Sequence, residues 1–155
     1  MTTAKRNWAE EIGRNAFAAI AEMVDAASAD WEQLEHLRDC EPDELDEFER
    51  EQLRDLEAEV GDCEDQGDAE QRILDDPLSV GLGGWWETGT EPEAQEYRVL
   101  LTTGGPAVRI VGDIGLHGGA ESAAMEVQDW GKPWTTYPCD QSILLEYVSR
   151  LYLGE

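Results

Sequence analysis

Positive charge is scarce in this sequence: 11 Lys and Arg residues stand against 36 Asp and Glu, a net charge of −25 over 155 residues. Such a chain repels nucleic-acid phosphates and anionic lipid surfaces and attracts basic surfaces, so direct nucleic-acid binding and membrane-surface attachment are not expected. No stretch approaches the roughly 20 consecutive apolar residues of a membrane-spanning helix. Glu10 and Glu11 also occupy the place where a secretory leader needs its apolar run. Cysteine is limited to Cys40, Cys63 and Cys139, odd in number and never in a C-x-x-C pair. Free thiols of this kind suit a reducing cytoplasm and imply no disulfide framework.

Catalytic and cofactor-binding signatures are missing too. The glycine-rich segments GGWW, TTGGPA and GLHGGA lack the G-x-x-x-x-G-K-[ST] order of a phosphate loop and read as turns. A nucleophilic cysteine or serine would need a histidine base, and only His36, in an acidic helix, and His117, in a hairpin tip, are available. Asp62 to Gly67 has the oxygen-rich start of a calcium loop, but its twelfth position is Ile73 where the closing bidentate Glu is required. His36 and Cys40 share an i,i+4 spacing, yet nothing local brings a third and fourth zinc ligand to them. The expectation is a protein that is not an enzyme and has no cofactor and no metal.

What is present divides the chain in two. From Asp30 to Asp76 there are 21 acidic and 4 basic residues, so these 47 residues hold 17 of the 25 net negative charges. Apolar residues from Trp8 through Ile12, Ile20, Val24 and Trp31 to Leu37 recur at helical spacing without an intervening Gly or Pro after Asn15. That pattern predicts one helix over about residues 4–38. Pro42 then opens a second helix with a stripe of Leu45, Phe48, Leu53, Leu56 and Val60, and Gly61 ends it. A short third helix, Ala69 to Leu74, follows with Asp68 as its cap.

After Pro77 the period changes to short strand-like runs, Ser79–Leu82, Glu96–Thr102, Ala107–Gly112 and Ser122–Gln128, joined by links too short for parallel crossovers. A final helix opening at Cys139 or Asp140 supplies an apolar face from Ile143 to Tyr152. The predicted fold class is therefore α+β: an acidic helical hairpin region over residues 1–76, then over 77–155 an antiparallel meander of about four strands covered by a C-terminal helix.

The segments DDPLSV (Asp75–Val80), PEAQEYRVLLTTGGPAVRI (Pro92–Ile110), EVQDWGKPWTTY (Glu126–Tyr137) and LYLGE (Leu151–Glu155) resemble small acidic proteins encoded on phages, prophages and conjugative plasmids of proteobacteria. The family pattern has a polar strand residue pair and a single tryptophan where this chain reads Gly81-Leu82-Gly83-Gly84-Trp85-Trp86. The resemblance implies a mobile-element setting, in which small acidic proteins often act against host defence such as CRISPR or restriction systems. It assigns no residue roles.

Two features suit a protein partner. Asp43 to Glu59 holds nine acids and two bases. As one helix about 26 Å long, it would carry one net charge per about 3.7 Å, close to the ~3.4 Å phosphate spacing of one DNA strand. Asp43, Glu44, Glu47, Glu51, Asp55 and Glu59 are the expected contacts with a basic surface of a host protein. The loop Asp129-Trp130-Gly131-Lys132-Pro133-Trp134 holds two tryptophans under proline and glycine constraint, and Trp130 and Trp134 are expected to face a partner. The sequence thus reads as a cytoplasmic, mobile-element inhibitor of a nucleic-acid-handling defence protein, working as a nucleic-acid mimic. The alternative is an adaptor that forms a homodimer through the Trp8–Leu37 stripe, its acidity serving solubility.

Overall fold

The computed structural model describes residues 8–83, 96–103, 106–115, 119–129 and 131–151, with only the backbone of Trp8. The first apolar stripe folds as two helices, α1 (Trp8–Ser28) and α2 (Trp31–Asp39), where a single helix was expected. No Gly or Pro causes the break. Asp30 leaves the helical conformation and its carboxylate accepts the Gln33 amide at 3.1 Å, while the Trp31 indole N–H donates to the Ala26 carbonyl at 2.7 Å. A local cap that also satisfies a carbonyl at the end of α1 competes successfully with helix continuation.

The next helix departs from expectation for the same reason. Pro42–Glu44 is a 3₁₀ turn, and α3 runs from Glu47 to Val60. Asp46 and Glu49 form a reciprocal capping box, with the Glu49 amide 2.7 Å from the Asp46 carboxylate and the Asp46 amide 3.3 Å from the Glu49 carboxylate. That start pins α3 three residues beyond Glu44 and leaves Asp43 and Glu44 outside it. Helix α4 (Gln66–Asp75) likewise begins earlier than predicted, with Asp65 as its cap in place of Asp68.

Among the described residues the sheet has five strands, where about four were expected, in the order β1 (Ser79–Gly83), β2 (Glu96–Thr102), β3 (Ala107–Asp113), β4 (Ala124–Gln128) and β5 (Thr135–Tyr137), every neighbour antiparallel. The last helix, α5 (Gln141–Ser149), is capped by Asp140, whose carboxylate accepts the Ser142 amide and hydroxyl at 2.9 and 2.6 Å. Those bonds to the ionised form hold the Asp140 carboxyl below its usual range.

Register places Tyr97, Val99, Val108, Ile110, Met125 and Val127 on one face of the sheet, and all six are buried. Helix α1 lies on that face, against β3 and β4, and also touches α3, α4 and α5. It is the element through which the acidic helices and the sheet share one continuous core. Gly13 on α1 permits a close approach to β5, since a Cβ there would lie 2.6 Å from the Tyr137 ring. Polar links across the same seam are the Tyr147 hydroxyl donating to Asp76 at 2.7 Å and Arg150 reaching Glu70 at 3.4 Å and the Ser28 hydroxyl at 3.3 Å. Of the stripe offered above for dimerisation, Ile20, Val24, Ala27, Trp31, Leu34 and Leu37 are buried in this core.

Candidate protein-binding surface

Helix α3 presents its acids unevenly. Leu56 and Val60 are buried, and with half-buried Glu49, Gln52 and Leu53 they define the inward side. Glu47, Glu51, Asp55 and Glu59 recur every four residues and are all exposed, with Glu47 and Glu51 opposite that side and Asp55 and Glu59 drifting back toward it. Four residues advance the helix by about 6 Å and about 40° of rotation, so these carboxylates form one slowly drifting row. Arg50 and Arg54 lie to one side of it, and the Arg50 guanidinium donates to the Pro42 carbonyl at 3.1 Å.

The fold uses some acids and leaves others free. Asp46 and Glu49 make the capping box, Glu57 pairs with Arg38 at 3.5 Å, and Asp62 and Asp68 hold Arg72 at 3.1 and 3.5 Å. The Arg72 guanidinium keeps the Asp62 carboxyl below its usual range. By contrast, Asp43, Glu44, Glu47, Glu51, Asp55 and Glu59 make no side-chain hydrogen bond or ion pair among the described residues. Those six are the residues singled out from the sequence. Four are gathered in the α3 row, and Asp43 and Glu44 stand on the 3₁₀ turn before it.

Confining α3 to Glu47–Val60 changes its charge density. It holds six acids and two bases. Over about 21 Å at ~1.5 Å per residue that is one net charge per about 5 Å, sparser than the ~3.4 Å spacing of phosphates on one strand. The row supplies a directed negative field without the spacing of a nucleic-acid backbone.

Phe48 was expected in the apolar stripe and is instead 72 % exposed. Its position explains this: it sits about 80° from Leu56 and about 140° from Leu53 around the helix, on the same side as the acidic row. An exposed aromatic beside free carboxylates is a contact that sequence reasoning assigned to the core. The same angular count would have found it.

The tryptophan loop is elsewhere. Trp130 lies outside the described residues. Trp134 is half-buried, and its ring carries the Arg109 guanidinium 4.0 Å from its centroid. Arg109 in turn pairs with Glu126 at 2.7 Å. Arg109 alternates with buried Val108 and Ile110, so this stack stands on the sheet face turned away from α1. The structure therefore does not bring Trp134 together with the α3 row, and its ring is engaged within the chain. A depression of about 500 Å³ on that outer face, beside Gly81, Gly83, Arg98 and Asp113, is lined by both signs of charge and selects neither.

Burial pushes the thiols of Cys63 and Cys139 up, the direction opposite to thiolate activation. His36 is exposed on α2, and among the described residues no three His, Cys, Asp or Glu side chains converge as metal ligands. No helix among them is long and apolar enough to cross a membrane. Comparison of the chain with protein-family models, with curated proteins and with solved structures finds no match.

Proposed function

We propose that this chain is a non-catalytic inhibitor, encoded by a mobile element and acting in the bacterial cytoplasm, that binds the basic surface of a nucleic-acid-handling host defence protein. The observation that carries the reading is the α3 row of exposed carboxylates left without partners while neighbouring acids are used in caps and ion pairs. Free carboxylates four residues apart repel one another, by about 0.2–0.5 kcal/mol per pair, so the row costs stability that a basic partner would recover. Phe48 adds an apolar contact of the kind that anchors such interfaces. Because the row is sparser than a phosphate strand, the inhibitor competes through its field and its occupancy of the basic channel and does not copy the phosphates one for one.

The test is capture of partners from a bacterial lysate at low and high salt, followed by assay of the captured protein's nuclease or nucleic-acid-binding activity with and without this chain. Capture is expected to fall steeply with salt and to be abolished when Glu44, Glu47, Glu51 and Asp55 are all changed to Lys, with circular dichroism unchanged. Phe48→Ala is expected to weaken it. Equal capture by the lysine variant, or a flat salt response, would refute the reading.

A further inference from the structure

At its C-terminal end the α3 row runs into a cavity of about 460 Å³ where α1, α3 and α4 meet. Met23, Ala26, Val60 and Ala69 line it with apolar surface, and the alanines are why it exists: three helices converge there on the smallest side chains. Gly61 adds to the opening. It ends α3 in a left-handed turn at φ 62°, and nothing lies within 4 Å of where its Cβ would stand.

The rim of the cavity is charged. Among the described residues, Glu22 and Glu59 make no side-chain hydrogen bond or ion pair, Asp76 accepts the Tyr147 hydroxyl, and Asp62 holds Arg72, the one basic residue of those that line the cavity. An apolar floor within a net negative rim excludes an anionic or purely polar occupant, since carboxylates would repel the first and the floor would leave the second unbonded. A cationic segment bearing one bulky apolar side chain satisfies both parts. The half-buried Met23 can adapt to the shape of such a group.

We propose that this cavity is the anchor pocket for the partner: it takes a Leu, Met or aromatic side chain flanked by Lys and Arg, while further basic residues of the same segment follow Glu59, Asp55, Glu51 and Glu47 along α3. This rests on the acidic-face reading above and adds to it the element by which the partner is recognised. A field alone accepts any basic surface, whereas a pocket at the end of the row selects segments with the anchor at the right end.

The test uses two fluorescein-labelled synthetic peptides, a short Lys/Ser peptide with one central Leu and the same peptide with Ser in its place, bound to the full chain and followed by fluorescence anisotropy. The Leu peptide is expected to bind at least about tenfold more tightly, the worth of burying one such side chain. Ala58→Trp, which fills the pocket from an exposed position on α3, is expected to erase that difference. Equal binding of the two peptides by the unaltered chain overturns the anchor pocket, and if both affinities fall with salt the acidic-face reading survives. Binding of neither peptide overturns both. A preference for Leu that persists in a folded Ala58→Trp variant overturns the placement of the anchor.

Discussion

Asp55 tests the acidic row most sharply, because the reasoning predicts that a disruptive-looking substitution will stabilise the protein. Its neighbours at four residues in either direction are Glu51 and Glu59, and those at three are Gln52 and Ala58, so it meets two like charges and no base. Changing Asp55 to Lys converts two repulsive pairs into two attractive ones. Each swing is worth about 0.4–1 kcal/mol, and the better helix propensity of Lys adds a few tenths, for a gain of about 1–2 kcal/mol at low salt. In a chain of this size that raises Tm by about 3–6 °C. Urea titrations at low ionic strength and in about 1 M salt, where charges on the surface are screened within about 3 Å, would separate the Coulombic part from propensity.

Glu57→Lys is the matched control. It makes the same change in net charge on the same helix, but Glu57 pairs with Arg38 at 3.5 Å and stands three residues from Arg54. A lysine there faces two guanidinium groups and is expected to lower stability by about 0.5–1 kcal/mol. Opposite signs for the two variants would tie the effect to local partners and not to net charge. If Asp55→Lys fails to stabilise at low salt, or its whole gain persists in high salt, the row is not a set of mutually repelling free carboxylates. The same variant should bind the partner less well while melting higher, as expected where surface charge is kept for function at a cost in stability.

Two further outcomes follow from the seam between helices and sheet. Gly13→Ala should destabilise by about 1–3 kcal/mol in chemical denaturation despite the ~1 kcal/mol that alanine normally gains inside a helix, because its Cβ would meet the Tyr137 ring at 2.6 Å. Alkaline titration should also be destabilising: burial, with Asp113 nearby, pushes the Tyr97 hydroxyl up from 10.0 to about 12, and burial with the bond to Asp76 raises Tyr147 as well. In the unfolded chain these phenols ionise first, so the unfolded state binds fewer protons above pH 10. Stability is then full below about pH 10 and falls by up to about 1.4 kcal/mol per pH unit for each tyrosine as pH rises toward 12. Tyr97→Phe should flatten that fall in urea titrations at successive pH values, and an unchanged slope would refute the assignment.

The fold class was legible because each half has its own period. After Pro77 the helical stripe gave way to short strand-like runs, and the links between them were too short for parallel crossovers. Helix ends were legible only in part. The pattern Asp46-x-x-Glu49 is a capping signal written in the sequence, yet Pro42 gave a stronger apparent start, and only the geometry decides which of two competing caps closes. Strand β5 has three residues and no pattern of its own, since it is a strand only because Thr135 and Tyr137 find partners on β4.

For the surface, the sequence alone determined that acids crowd Asp30 to Asp76. It supplied Asp46 and Glu49 of the capping box and the i,i+4 spacing of Glu47, Glu51, Asp55 and Glu59. Tertiary structure decided which carboxylates are spent and which are free, because Arg38, Arg72 and Arg150 reach acids on other turns or other helices. It also separated Trp134 from the acidic row. The Tyr147–Asp76 bond spans 71 residues, and the apolar cavity is built from α1, α3 and α4. Local sequence sets the period and charge of each element, but the groups that end up side by side depend on packing across the whole core, which no single stretch of sequence contains.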